Sequence, residues 1–220
     1  KRFGNAEDLA FSVDLEGLKP SNRYEFQIIR WGQPVGSWEF ETAPARFREG
    51  MNFVTGGDMY GTRAWLDAMN RRAGLEDPLF ALLGGDLAYA NGTNGGKWRD
   101  WLDSWRDCAV APDGRLIPMV VAIGNHEVKG YQYRPTDAPG REEAPFFYSL
   151  FSGKSDGANF TVDFGDYLSL VGIDSGHTAN VADQTQWLGR VLGNRLDVPR
   201  QFVCYHRPAW GTGVKGDATD

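Results

Sequence analysis

Two folds follow one another in the sequence: the trailing part of an all-β sandwich, then an α/β domain whose sheet is covered on both faces. Three observations predict this. Residues 9–42 alternate apolar and polar positions with the two-residue period of half-exposed strands. From residue 50 the apolar runs lose that alternation and are separated by segments of helical period, the pattern of strands buried beneath helices. Finally, 28 of the 220 residues are glycine, which permits the many tight turns that such an order of elements requires.

Residues 9–15 (LAFSVDL) place Leu9, Phe11, Val13 and Leu15 on one face, and a turn is expected at 16–20. RYEFQIIRW, from Arg23, alternates again with Tyr24, Phe26 and Ile28 together; GQPVG reads as a turn; SWEFET sets Trp38 and Phe40 on one face. Three antiparallel strands cannot close a sandwich, so residues 1–45 read as the end of one. Ala43-Pro44-Ala45 is the expected linker to a second domain over 46–220.

In that second domain MNFVTGG is a short strand, and TRAWLDAMNRRAG a helix with Trp65, Ala68, Met69 and Ala73 on one stripe. LFALLGG is a fully apolar strand, and KWRDWLDSWRDC an amphipathic helix with Trp98, Trp101, Leu102 and Trp105 on one face. PMVVAIG is a further buried strand, 127–157 is loop-rich, and NFTVDF and YLSLVGID are strands. DQTQWLGRVLG is a helix and RQFVCYH a final strand.

Composition removes several classes of function. The net charge of −6 lacks the basic footprint of sequence-independent nucleic-acid binding. No run approaches 18 apolar residues, so no membrane span is expected. An aromatic content of 13% is too high for a chain that cannot bury a core. Two cysteines make no disulfide framework; Cys204, in the apolar run QFVCY, is expected as a buried free thiol. KRFGNAEDLA has no apolar stretch of the kind a signal peptide needs.

The chemistry gathers at strand ends. MNFVTGG ends at Asp58; LFALLGG at Asp86, with Tyr89 three residues on; PMVVAIG at Asn125-His126-Glu127; YLSLVGI at Asp174; RQFVCY at His206. In open α/β sheets ligands bind beyond the carboxyl ends of strands. Five strands bringing oxygen and nitrogen donors to one rim point to a metal site, and the mixture of carboxylate, phenol, amide and imidazole suits Fe, Mn or Zn rather than Ca. No thiol stands at these points, which removes an all-Cys zinc site. Paired glycines precede both Asp58 and Asp86, where the chain must turn and leave room for an ion. Taken singly, each residue has a plainer reading: Asp58 as a helix N-cap, Tyr89 as a core or rim aromatic, Asn125 as a turn residue, His206 as a core histidine. Their shared placement favours a site.

The series Gly57-Asp58, Gly85-Asp86-Leu87-Ala88-Tyr89, Gly124-Asn125-His126-Glu127 and Cys204-Tyr205-His206-Arg207-Pro208 resembles the metallophosphoesterases. The D-x-x-Y spacing resembles the purple acid phosphatases among them, as does the helix QTQWLGRVL before the fourth motif. L-x-x-L-K-P-S-N-R-Y-E-F with F-E-T-A-P resembles the end of a fibronectin type III-like domain. The resemblance implies a β-sandwich core flanked by helices, hydrolysis of small-molecule phosphate esters, and two metal ions. It implies that Asp58 and Tyr89 bind the first metal, usually ferric iron, that Asp86 bridges both, and that Asn125 and His206 bind the second, which is Fe, Zn or Mn. His126 would face the substrate phosphate, stabilising phosphoryl oxygens or protonating the leaving group. Two metals ~3.5–4 Å apart clamp a phosphate, acidify a bound water and offset charge in an in-line displacement. No G-x-S-x-G nucleophile motif competes with this reading.

The sequence also departs from the family. Its usual first motif is Asp-x-His; here Asp58-Met59-Tyr60 has no histidine, and the phenol of Tyr89 is the expected replacement. The family's Gly-His-x-His motif is not found, because no histidine follows His206. The chain therefore reads as a piece of a longer enzyme, ending in the Gly-rich TGVKGDATD. A short form acting as a non-catalytic binding module is the alternative, as is a phosphodiesterase or nucleotidase of the same superfamily. His177, in DSGHTAN, is expected as a loop residue at the site mouth rather than a substitute ligand. Eight tryptophans would suit a carbohydrate- or partner-binding module, but Trp98, Trp101 and Trp105 fall at helical core spacing. Asn91-Gly92-Thr93 and Asn159-Phe160-Thr161 match the glycan-acceptor pattern and favour a secreted or periplasmic location.

Overall fold

Strand β1 (Arg23–Arg30) and strand β2 (Gln33–Glu41) form an antiparallel hairpin. This computed structural model describes residues 10–59, 61–131, 133–151 and 157–208. Trp31 and Gly32, both left-handed at φ 51° and 76°, close the hairpin as a two-residue turn whose twist matches that of the strands. The turn therefore takes in only the first residue of GQPVG, and the rest of that segment is strand. Residues 10–16 form no strand, against expectation, and Leu9 lies outside the described residues. An alternating apolar face is stable as a strand only against a neighbouring edge. Here Phe11, Val13 and Leu15 remain 85%, 79% and 54% exposed. The described residues thus hold a two-stranded hairpin where three strands of a sandwich were expected. Nor is Ala43-Pro44-Ala45 a free linker: Pro44 is buried and its carbonyl accepts from Tyr167 Oη at 3.0 Å. The Leu116 N–H also donates to Glu39 O at 2.8 Å, tying the hairpin to the body of the chain.

Among the described residues six further strands build two sheets. β3 (Val54–Gly56), β4 (Ala81–Leu83) and β5 (Met119–Val121) are parallel in that order. β6 (Phe160–Phe164) pairs antiparallel with β7 (Leu168–Gly172), and β7 pairs parallel with β8 (Gln201–Cys204). Alternation along β4 divides the core in two. Leu82 and the preceding Phe80 pack toward Tyr167, Leu168 and Leu170 of the second sheet. Phe80 stacks on both Phe53 (4.9 Å between centroids) and Phe164 (4.7 Å). Ala81 and Leu83 belong to the other layer, with helices α1 (Arg63–Leu75), α2 (Gly95–Cys108) and α3 (Pro145–Leu150). The core is thus a two-sheet sandwich with helices against one sheet; the fourth helix, α4 (Val181–Gly193), leads into β8.

Helix α2 buries Trp98, Trp101 and Trp105 as its spacing predicts. Helix α1 does not follow its predicted stripe. Trp65 is 73% exposed, and the buried face is Leu66, Asn70 and Gly74, one residue further round. Two contacts choose that face. Asn70 Nδ2 donates to Ser104 Oγ at 3.0 Å inside the α1–α2 contact, and Gly74 lies so close to the Val110 backbone that no Cβ fits. A polar pair and a glycine score poorly as core, so periodicity selected the larger tryptophan face. Both cysteines are free; Cys108 is buried and Cys204 half-buried against the sandwich core. Among the described residues no helix is long and apolar enough to cross a membrane.

Candidate metal centre

The carboxyl ends of β3, β4 and β5, with the end of β8, converge on one rim. The first two loops are joined by main chain: Gly84 N–H donates to Gly56 O (2.7 Å), Asp58 N–H to Gly85 O (3.1 Å) and Met59 N–H to Asp86 O (2.9 Å). Glycine is required at two points. Gly85 is left-handed (φ 97°), and a Cβ there would sit 2.6 Å from the Gly124 nitrogen. A Cβ on Gly124 would overlap Asp86 Oδ1 and lie 2.5 Å from the Asp86 nitrogen. The room for the site is therefore made between the second and third loops. A Cβ on Gly56 would meet nothing within 4 Å.

Within this rim Asp58, Asp86 and His206 bring ligand atoms within 4.8 Å of one another. Asp86 is only 2% exposed, and its Oδ2 lies 3.3 Å from His206 Nε2. His206 Nδ1 is 2.9 Å from Gly84 O, which accepts a hydrogen bond from it and leaves Nε2 directed at the cluster. Asn125 Oδ1 is 3.1 Å from that same Nε2, and Tyr89 Oη donates to Asp58 Oδ1 at 3.2 Å. All five candidate ligands thus form one connected group. Asp58 is not a helix cap: Thr62 caps α1, accepting from the Trp65 N–H. Tyr60, which departs from the usual first motif, lies outside the described residues, as does the TGVKGDATD stretch.

His126 stands beside the group. Its N–H donates to Asp86 Oδ1 (2.7 Å), its Nε2 is 3.9 Å from Asp86 Oδ2, and the rings of Tyr89 and Tyr131 stack on it at 4.0 and 5.2 Å. Of eight left-handed non-glycine residues among those described, Asp58, Asp86, Tyr89, Asn91 and Tyr131 belong to this region. Backbone strain concentrated in this way is characteristic of sites where geometry is imposed by the surroundings.

Asp174 and His177 differ from expectation. Asp174 is fully buried, and its oxygens accept from the N–H groups of Gly176, His177, Thr178 and Ala179 and from Thr178 Oγ1, at 2.6–3.0 Å. A carboxylate so fully engaged organises its own loop and has no lone pair to offer a cation. His177 is not at the mouth: it is fully buried, with Nε2 3.0 Å from Ser175 Oγ and its ring edge-on to His206. One residue without an assigned role proves central. Glu127 is completely buried and accepts from the N–H groups of Asp86 (2.7 Å), Leu87 (3.0 Å) and Gly124 (2.8 Å), joining the second and third loops. Its position at the end of G-N-H-E was the only signal.

The electrostatics follow from burial and pairing. Burial opposes ionisation of Asp86, but the hydrogen bond and charge of His206 and the His126 N–H outweigh it, and its carboxyl sits below the ordinary range. His206 is the counterpart: burial pulls it down, yet Asp86, Asp58 and the Gly84 carbonyl leave it raised. Burial lowers His126, against the pull of Asp86. Burial pushes Glu127 up to about 7 despite its three N–H donors. Burial and the neighbouring Asp58 and Asp86 carboxylates push the Tyr89 phenol well up. The Tyr89 phenol therefore keeps its proton at neutral pH. Two carboxylates, an imidazole, an amide oxygen and a phenol in one half-buried group fit hard or borderline metal ions.

No curated protein matches the chain. Among solved structures it is similar to a purple acid phosphatase isolated from yellow lupin (Lupinus luteus) seeds, with a TM-score of 0.65 and 17% identity over 90% of this chain and 39% of that one. It is similar to PhoD with a TM-score of 0.56 and 15% identity over 92% of this chain and 52% of that one. At such identities the likeness is one of fold, and the chain spans about two fifths and about half the length of these two proteins. The calcineurin-like phosphoesterase profile matches residues 53–219, from β3 past the last strand-end histidine, and the chain belongs to that family.

Proposed function

We propose that this chain hydrolyses small-molecule phosphate esters, in the manner of a purple acid phosphatase, at a pair of metal ions. Asp58 and Tyr89 would hold one ion, Asn125 and His206 the other, and Asp86 would contact both. The observation that carries this reading is the buried Asp86 carboxylate, with ligand atoms of Asp58 and His206 gathered within 4.8 Å and Asn125 Oδ1 3.1 Å from His206 Nε2. When bound, such ions supply Lewis acidity, drawing charge from the phosphate and acidifying water. The chain supplies the rest. Asp86 enters ionised and offers two oxygens. Tyr89 gives up its proton to become a phenolate donor. Gly84 O and Asn125 hold the His206 ring in one orientation. His126 presents Nε2 beside the cluster, where it can stabilise a phosphoryl oxygen or deliver a proton to the leaving oxygen. Iron with iron, zinc or manganese is the expected pair, since a phenolate is matched by a strongly acidic ion. A secreted or periplasmic location is part of the same proposal.

The test is metal loading followed by assay on p-nitrophenyl phosphate, bis(p-nitrophenyl) phosphate and nucleotides, with metal content measured on the same sample. Two ions per chain, turnover of a phosphate ester and a visible tyrosinate–iron band support the proposal. Preference among the three substrates separates monoesterase, phosphodiesterase and nucleotidase. Metal uptake without turnover of any of them would favour a binding module.

A further inference from the structure

We propose, resting on the functional reading above for the reaction itself, that the ring of Tyr131 is a stacking wall for the leaving group. It selects phosphate esters in which that group is an aromatic ring.

Three observations carry it. The first is place. The Tyr131 ring lies 5.2 Å from the His126 ring at an interplanar angle of 30°, and His126 Nε2 is 3.9 Å from Asp86 Oδ2. His126 is thus in contact with the candidate ligands and with Tyr131 at once. The second is exposure. Tyr131 remains 56% exposed with that stacking contact already made, so much of its ring still faces solvent. Tyr89, the other ring stacked on His126, is half-buried and its phenol donates to Asp58. Tyr131 is therefore the one of the two with surface left for a ligand. The third is rigidity. Gly130 and Tyr131 are consecutive left-handed residues, at φ 68° and 46°, a strained conformation for a bulky side chain. The Tyr131 N–H donates to Val128 O at 3.0 Å, Val128 is fully buried, and the Arg134 N–H donates to Gly176 O at 2.8 Å. Lys129 abuts Gly92 so closely that a Cβ on that glycine would lie 2.5 Å from the Lys129 nitrogen. The strained residue is pinned before and after, so the ring is presented without the cost of ordering a loop.

The chemistry of the ester fixes the class. In the proposed reaction the ester oxygen departs beside His126. An aryl ester has its ring bonded to that oxygen, so the ring reaches the side chain in contact with His126. An aliphatic leaving group offers no planar face to stack there.

Calorimetric titration of zinc-loaded protein with phenylphosphonate and methylphosphonate, whose P–C bonds resist hydrolysis, reads the wall without turnover. The wild type should bind the phenyl compound more tightly. In Tyr131→Ala the ratio of the two affinities should fall about 2- to 12-fold, the worth of one aromatic pair, and Tyr131→Phe should keep it. The ratio of kcat/KM for phosphotyrosine over phosphoserine should fall by the same factor in Tyr131→Ala. An unchanged phosphonate ratio in that variant overturns the proposal, as does a wild type that binds neither phosphonate. An equal loss of kcat/KM on both amino acid esters would mark Tyr131 as a buttress of His126 and overturn it too. AMP and ribose 5-phosphate make a third pair: a loss of their ratio with none for phosphotyrosine would assign the ring to a nucleobase and overturn the aryl class. A wild type with the expected phosphonate preference that hydrolyses no ester would defeat the functional reading alone.

Discussion

Replacing Gly124 with alanine isolates the packing on which the centre depends. Gly124 has φ −118° and ψ −179°, a conformation any residue adopts, so the substitution adds no backbone strain. What it adds is one methyl group overlapping Asp86 Oδ1, 2.5 Å from the Asp86 nitrogen and 2.9 Å from Glu127 Oε2. Ordinary contacts need roughly an ångström more, and all three atoms are buried and hydrogen-bonded. Overpacking of this kind costs about 1–3 kcal/mol. In a chain of this size that lowers Tm by roughly 2–12 °C, at about 2–4 °C per kcal/mol. Because the displaced atom is a candidate ligand, a similar energy should weaken metal binding about 5- to 150-fold. Calorimetric titration with Zn or Mn and a thermal melt measure both. Gly56→Ala is the control, since its methyl would meet nothing within 4 Å. Normal metal affinity in Gly124→Ala, or equal damage in Gly56→Ala, would show that the close approach of the two loops does not shape the site.

Other expectations concern the residues themselves. Asp86→Ala should remove both metals, because under the proposed assignment that carboxylate contacts both ions; two ions retained by elemental analysis would dismiss the shared role. His126→Ala should keep the metals and lose turnover by ~10²–10⁴-fold, the range for a lost proton donor. Unchanged steady-state rates would exclude it from the chemistry. Trp101→Ala should cost about 3–5 kcal/mol in denaturant unfolding, as for any large core aromatic, while the exposed Trp65→Ala stays within about 0.5 kcal/mol. Comparable losses would mean that the faces of α1 and α2 are wrongly assigned. In chelator, the Asp86–His206 pair should stabilise the fold most between about pH 4 and pH 6.5. The depressed carboxyl contributes above its ordinary pKa of 3.8 and the raised imidazole below its ordinary 6.5. Melts of Asp86→Asn should lack that contribution. Metal binding should instead tighten as pH rises, since His206 and Tyr89 must release protons to bind.

What the sequence disclosed and withheld follows from the range of each interaction. The six sandwich strands and the α2 tryptophan stripe were legible because apolar runs and helical spacing are local patterns. Asp58, Asp86, Asn125 and His206 stood out as candidates because each lies just beyond such a run, and Tyr89 by its place three residues after Asp86. The register of α1 was not, since its contact face is decided by Ser104 and Val110, on α2 and just beyond it. The strand expected at residues 9–15 depended on a partner that local alternation cannot supply. Asp174 shares the strand-end position of the ligands, and only the course of the following loop shows that its oxygens are already engaged. Asn91 read as part of a glycan-acceptor triplet; its contact with His126 spans 35 positions and leaves no local trace.

The candidate cluster joins residues from opposite ends of this domain, and that ordering reaches into synthesis. A nascent chain leaving the ribosome exposes Asp58 and Asp86 first. His206 arrives only after β6, β7 and α4 have emerged, on a strand whose neighbour in the sheet is β7. Under the proposed function, the full set of ligands would therefore close on a cation only late in vectorial folding. Metal uptake by that full set would then serve as a natural timestamp for the moment the final strand docks.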